Sequence, residues 1–348
     1  MPEPGFDAAP SLLITGGGGL RDIAESAALA EDAGFAGAWT TEFYDRSATV
    51  SLAAMAAATR NITLGSAIAY GFGRTPLVWA AEARDLDELT GKRLILGLGT
   101  GTRRMQQDWH GLDGEHPAPR MEELVPLLRR LLRLNEGPIA HDGRFYRLHV
   151  KPTLPVGPPP RTDLPIYLAG VNPRMIRAAG RVGDGLVGHP LFTAEYVRDI
   201  ARPALAAGAE HAGRDVELPI AGYLTCSVNE DRDAARQAAR ATVAFNSTVK
   251  TYRVVHRHHG WEDHAERIRE KWIGGDFAAA VQAVPDEMID AITLAGTPDE
   301  VRARYAERWQ GVYEHTLLWP PAFAGMDGVR AVIETFAQPE AGRAPGSR

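Results

Sequence analysis

RLILGLGTGTRRM, residues 93–105, fixes the architecture more than any other stretch of this chain. An apolar run of strand length, Leu94 to Leu98, passes directly into Gly99-Thr100-Gly101-Thr102 and then into Arg103 and Arg104. The small residues leave backbone N–H groups uncovered, and the hydroxyls add further donors. The same order of residue types recurs in SLLITGGGG (11–19), GAWTTE (37–42), ITLGSAIAYG (62–71), PIYLAGVNP (165–173) and DGLVGHP (184–190). LPIAGYLTCSV (218–228) and EHTLLWPP (314–321) bring the count to eight. Strands that alternate with helices and carry polar chemistry at their C-terminal ends predict an α/β fold, a (β/α)8 TIM barrel with its active site on the C-terminal face.

Between the strands lie helix signals. Leu20, Ile23, Ala24 and Ala27 recur at helical spacing against Arg21, Asp22 and Glu25, predicting a helix over 20–33 that Gly34 ends. Thr75-Pro76 opens another and Gly91 closes it, while TPDE at 297–300 is a capping box. Two segments exceed what a crossover needs. Residues 136–164 hold a hairpin turning at Asp142-Gly143 and a proline-rich connector, an insertion before the fifth strand. Residues 228–297, mostly helical in pattern, form a second insertion before the eighth strand, expected to act as a lid or substrate wall. The chain is expected to be one barrel domain over 1–348 with a disordered tail at 339–348, rich in proline, glycine and charge.

Composition excludes several classes. The 348 residues are 45% hydrophobic and 24% charged, enough for a large core, and the net charge of −6 without a long basic run gives no footprint for nucleic acid. No leader pattern and no apolar stretch of membrane-spanning length is seen, so a cytoplasmic enzyme without membrane contact is expected. Cys226 stands alone, which rules out an internal disulfide and suits a small buried hydrophobe.

Several constellations carry possible chemistry, each with a plainer alternative. Thr100 to Arg104 offers N–H and O–H donors and two guanidinium groups to an anionic or carbonyl-rich ligand, or is a tight turn followed by solvated arginines. Asn172-Pro173 opens a helix whose free N–H groups and Arg174 suit a phosphate; the alternative is mere capping. Glu42, beside Trp39, Phe43 and Tyr44, suits a carboxyl of raised pKa that moves protons, or an ion pair with Arg46. HRHHGWEDH (256–264) lacks HExxH spacing and a supporting cysteine, so no metal site is expected. Gly16 to Gly19 lacks the GK[ST] ending of a phosphate loop, and no GxSxG elbow exists. Trp261, Trp272 and Phe277, with the histidines, suggest an aromatic or apolar pocket wall, or simply core.

Taken in order, WTTE, LGSAIAYGFGRTP, RLILGLGTGTRRM and YLAGVNPRMIRAAGRVGDG resemble the bacterial-luciferase-like family of flavin- or deazaflavin-dependent oxidoreductases, over residues 10–335. The resemblance implies a (β/α)8 barrel with an extended segment before the last strand. It implies hydride transfer between coenzyme F420, an 8-hydroxy-5-deazaflavin, and a small organic substrate. The alternatives are an FMN-dependent monooxygenase using reduced flavin and O2, and a cofactor-free binding protein on the same scaffold. By the same resemblance Thr41 and Glu42 occupy the place of an acid–histidine pair, with Glu42 as candidate proton donor in place of histidine. Ala67-Ile68 match a bulge with a non-proline cis peptide behind the cofactor ring. Thr100, Gly101 and Thr102 match the cofactor turn, with Thr102 replacing an acid of sugar-phosphate dehydrogenase members. Val171, Asn172, Pro173 and Arg174 match the cofactor-phosphate loop, and His189 a further phosphate or tail contact. A homodimer is implied as well.

Overall fold

Strands that read as near-continuous apolar runs are those buried on both faces, and alternate residues here face two different cores. The computed structural model describes residues 9–15 and 18–338. Its strands are β1 (Ser11–Ile14), β2 (Gly37–Thr40), β3 (Thr63–Ser66), β4 (Ala69–Tyr70), β5 (Leu94–Gly99), β6 (Ile139–Asp142), β7 (Arg147–Val150), β8 (Ile166–Ala169), β9 (Gly185–Val187), β10 (Ile220–Val228), β11 (Thr293–Gly296) and β12 (His315–Trp319). Leu13, Trp39, Ile95, Tyr167, Val187, Ala221 and Leu317 point inward and fill the barrel. Leu12, Ala38, Leu64, Leu96, Leu168 and Leu318 point outward and pack under the helices.

Parallel pairing runs β1–β2–β3–β5–β8–β9–β10–β12 and returns to β1, closing an eight-stranded barrel. The register places Leu13 beside Trp39 and Trp39 beside Gly65. A side chain at 65 would strike the Trp39 ring, so the glycine makes room for the largest residue of the interior. The third strand is broken: β4 resumes after a bulge and pairs with β5 through Ala69–Leu98 and Tyr70–Gly99. All eight strands read from the sequence are present, and the fold is the expected barrel.

One strand was not expected. Residues 228–297 are mostly helical, with helices such as Arg232–Ser247 and Glu262–Ile273, but they end in the fully buried strand β11. The nine-residue β10 pairs with β9 only at Ile220 and Ala221, and β11 fills the edge left open at Thr225–Val228. Four residues, TLAG, are too few for a periodicity to declare itself. In the other long segment, β6 and β7 form an antiparallel hairpin. The Glu123 carboxylate accepts N–H groups from Phe145 and Tyr146 and meets His141 at 3.0 Å, tying the hairpin to the helix beneath.

Six helices bear on the site or its supports: α1 (Leu20–Asp32), α2 (Ala48–Ala58), α3 (Pro76–Leu89), α4 (Arg103–His110), α5 (Pro117–Leu132) and α6 (Pro173–Val182). Thr75 caps α3 with Pro76 in its first turn, as the sequence predicts, and Thr297 with Glu300 forms the capping box of helix Pro298–Arg308. Cys226 is buried in the outer core. Among the described residues no helix is long and apolar enough to cross a membrane. Gly16, Gly17 and the tail 339–348 lie outside the described residues.

Candidate active site

The C-terminal ends of β2 and the broken third strand are laced together by backbone bonds: Ala67 N–H to Thr40 O at 2.7 Å and Glu42 N–H to Ile68 O at 2.8 Å. The Ala67–Ile68 peptide between them is cis. Glu42 is buried, and its Oε2 accepts the Tyr70 N–H at 2.8 Å and Arg74 Nη1 at 3.0 Å, while Oε1 accepts Arg74 Nη2 at 2.7 Å. Arg74 also reaches Glu82 at 2.9 Å and lies 4.6 Å from the centre of the Trp79 ring.

Glu42 is expected from the sequence as a proton donor or as a partner of Arg46. Its two oxygens accept three hydrogen bonds, from the Tyr70 amide and from Arg74. Arg46, the other partner considered, donates to Gly18 O at 2.8 Å. Trp39 faces the barrel interior, whereas Phe43 and Tyr44 form a rim cluster with Trp109, their ring centres 5.1 and 5.4 Å from it.

The turn after β5 is shaped by Gly101, whose φ of 63° lies in the left-handed region. A side chain there would stand 3.1 Å from the Tyr70 ring, so the glycine also lets Tyr70 close over the turn. Thr102 caps α4 by accepting the Met105 N–H at 3.2 Å, and the buried Gln106 amide donates to Thr100 O. Arg103 pairs with Glu115 and Arg104 with Asp108, both on the surface. The plainer reading holds for these two arginines. After β8, Asn172 caps α6 by accepting the Met175 N–H at 3.2 Å. Arg174 is exposed and, among the described residues, has no ion-pair partner.

Across the mouth, His189 packs against Tyr252 with ring centres 3.9 Å apart. Its Nδ1 accepts the Leu191 N–H, so the ring proton sits on Nε2. Desolvation, with His256 nearby, pushes His189 down to about 3. It is therefore a neutral donor and not a cation for a phosphate. Three histidines of the 256–264 run have partners of their own. His256 is buried against Ser247, His259 meets Thr193 at 2.8 Å and stacks on Trp261, and His258 lies 3.4 Å from Asp199. The expected aromatic wall is split: Trp261 packs with His259, while Trp272 and Phe277 join Phe245 elsewhere.

Residues 7–315 match the model of the family described as luciferase-like monooxygenase. The chain belongs to that family. Among luciferase-like relatives it is similar to the 5,10-methylenetetrahydromethanopterin reductase of Archaeoglobus fulgidus, 33% identical over 288 residues, 80% of this chain and 83% of that one. It is likewise 33% identical to the enzyme of the same name from Methanolobus tindarius, over 82% of this chain and 86% of the relative. A solved structure, the coenzyme F420-dependent tetrahydromethanopterin reductase of Methanopyrus kandleri, superposes with a TM-score of 0.80 at 28% identity, covering 95% of this chain and 97% of that one. The luciferase-like relationship and its barrel carry a generic flavin- or deazaflavin-dependent oxidoreductase activity.

The sequence reading missed Arg74 and Tyr70. Arg74 and Tyr70 stand inside the quoted GFGRTP and AIAYG stretches, but nothing local marks them as partners of Glu42.

Proposed function

We propose that this protein transfers a hydride between coenzyme F420 and a small organic substrate at the C-terminal face of the barrel. The observation that carries the reading is the likeness to the F420-dependent reductase of Methanopyrus kandleri along nearly the whole chain. The residues present fit a flat ring with an anionic tail. Ile68, on the bulge, is packed so closely on Gly99 that a side chain there would stand 2.8 Å from it, giving a firm apolar wall. The starts of α4 and α6 offer backbone N–H groups, and Arg174 is a cation without a partner among the described residues.

In this reading Ala67 and Ile68 back the ring, Thr100, Gly101 and Thr102 donate to its polar edge, and Val171, Asn172, Pro173 and Arg174 hold the phosphate, with His189 as a neutral donor beside them. The bound deazaflavin supplies the carbon that gives or takes the hydride. The protein's own part is to position and to exclude water. Glu42 holds the bulge through the Tyr70 amide and holds Arg74, and the Thr41 hydroxyl donates to Glu42 O at 3.4 Å.

Anaerobic assay separates this reading from an FMN-dependent monooxygenase. Substrate-dependent oxidation of reduced F420 under nitrogen supports it; turnover that requires O2 and reduced FMN replaces it.

A further inference from the structure

Three arginines converge at the end of the barrel opposite the candidate active site. Arg129 comes from the last turn of α5, Arg181 from the last turn of α6, and Arg214 from the segment that leads into β10. Together with Pro126, Val182 and Asp184 they line a cavity of about 310 Å3. Asp184 stands just before β9 and ties the group together. Its Oδ2 accepts Arg129 Nη2 at 2.7 Å and the Ile166 N–H at 2.9 Å, and its Oδ1 lies 3.9 Å from Arg214 Nη2. The chain entering β8, β9 and β10 therefore meets at this one cavity.

Each arginine commits one terminal nitrogen to the protein. Arg129 Nη2 serves Asp184 and, at 3.4 Å, Val182 O. Arg181 Nη1 donates to Glu122 at 2.7 Å, and Arg214 Nη1 donates to Gly180 O at 2.9 Å and Gly183 O at 2.6 Å. The carbonyls at 180, 182 and 183 are those that the end of α6 leaves open, so capping accounts for these bonds. It does not account for the rest. A guanidinium carries five N–H donors, and no hydrogen bond joins the remaining nitrogens of the three to any described residue. One of them, Arg181 Nε, is buried without a partner, a cost that an accepting ligand would remove.

Charge and shape select the ligand. The cavity wall holds three guanidinium groups and one carboxylate, and cations stay in excess even with Glu122 counted, in a chain whose net charge is −6. The side chains of Arg129, Arg181 and Arg214 are 31%, 34% and 29% exposed, so an ion pair made here is screened less than one on open surface. A flat carboxylate matches a single guanidinium fork, whereas guanidinium groups arriving from three elements suit oxygens that point in several directions. We propose that Arg129, Arg181 and Arg214 form a binding site for a phosphoryl group, carried by free phosphate or by a monoester. Arg214 also lines a second cavity, of about 780 Å3, with Leu205, Ala209 and Val216, which gives room for the body of a monoester. The site is separate from the one proposed for the cofactor and does not rest on that reading.

The test titrates the full chain calorimetrically with inorganic phosphate and with phenyl phosphate, at an ionic strength matched with chloride. The titrations are repeated on Arg174→Ala, which lacks the cation of the proposed cofactor-phosphate loop. Wild type and Arg174→Ala are expected to bind the probes alike. Arg181→Gln should weaken both probes at least tenfold, the worth of one hydrogen bond to a charged group. Arg129→Gln is a second variant with the same expected loss, and thermal unfolding shows that each variant folds. Tighter binding of phenyl phosphate assigns the site to a monoester, equal or tighter binding of inorganic phosphate assigns it to the free ion, and either supports the proposal. No binding of either probe, full affinity in both folded variants, or binding lost in Arg174→Ala but kept in Arg181→Gln overturns it.

Discussion

Arg74 closes on Glu42 with both terminal nitrogens, at 3.0 and 2.7 Å, and so ties the loop after β2 to the loop after β4. Their side chains are only 16% and 10% exposed, so this pair is worth more than a surface bridge. Glu42→Gln is expected to destabilise the protein by about 2 kcal/mol, the range of hydrogen bonds to charged groups. Arg74→Met should do at least as much, and the double variant less than the sum of the two. Denaturant unfolding of the three variants measures this; an unchanged midpoint for Glu42→Gln together with lost turnover would return Glu42 to proton transfer.

Gly101→Ala should both strain the turn and push on Tyr70, since the position has φ 63° and the new methyl would sit 3.1 Å from the ring. A cost of about 1 kcal/mol from the backbone alone is expected, with a larger fall in cofactor affinity because the turn and Tyr70 move together. Calorimetry and cofactor titration on the same sample check this, and unchanged affinity would detach the turn from the cofactor site.

Burial pushes His189 down to about 3 and His256 down to about 4 from an ordinary value of 6.5, desolvation being the largest cause for both. Above pH 6.5 both states of the protein hold them neutral. Between 6.5 and about 4 the unfolded chain binds protons that the folded one refuses, so stability falls as the pH drops, by up to about 1.4 kcal/mol per pH unit for each group. His256→Gln should flatten this acid limb in unfolding midpoints measured from pH 4.5 to 7. An unaltered slope would show that His256 does not carry it.

Arg174 has solvent around it and no partner among the described residues. Under the proposed function, Arg174→Ala should weaken F420 by roughly fivefold at low salt and less at high salt, the behaviour of a screened charge. A deazaflavin lacking the phosphate should bind the variant as well as it binds the wild type. Equal losses for both ligands would mean a packing role.

The barrel was legible because its signals are local. Apolar runs ending in glycine and hydroxyl residues declare eight strands, and capping at Thr75, Asn172 and Thr297 declares helix starts without reference to any distant part of the chain. The site was legible only where it lies on those turns. Arg74 and the Tyr70 amide find Glu42 once barrel closure brings separated loops together, a geometry that no window of sequence contains. Glu42 was found from its position, but nothing local to it shows that Arg74 pairs with it or that Phe43 and Tyr44 form a rim cluster with Trp109. β11 escaped because its pairing depends on the length of β10.

Equilibrium binding of the purified protein to oxidised F420 and, separately, to FMN, followed by quenching of cofactor fluorescence, tests the central claim most directly. The account predicts saturable binding of F420 at least tenfold tighter than FMN. Equal affinity or a preference for FMN would contradict it and make the oxygen-using chemistry of the family the leading reading.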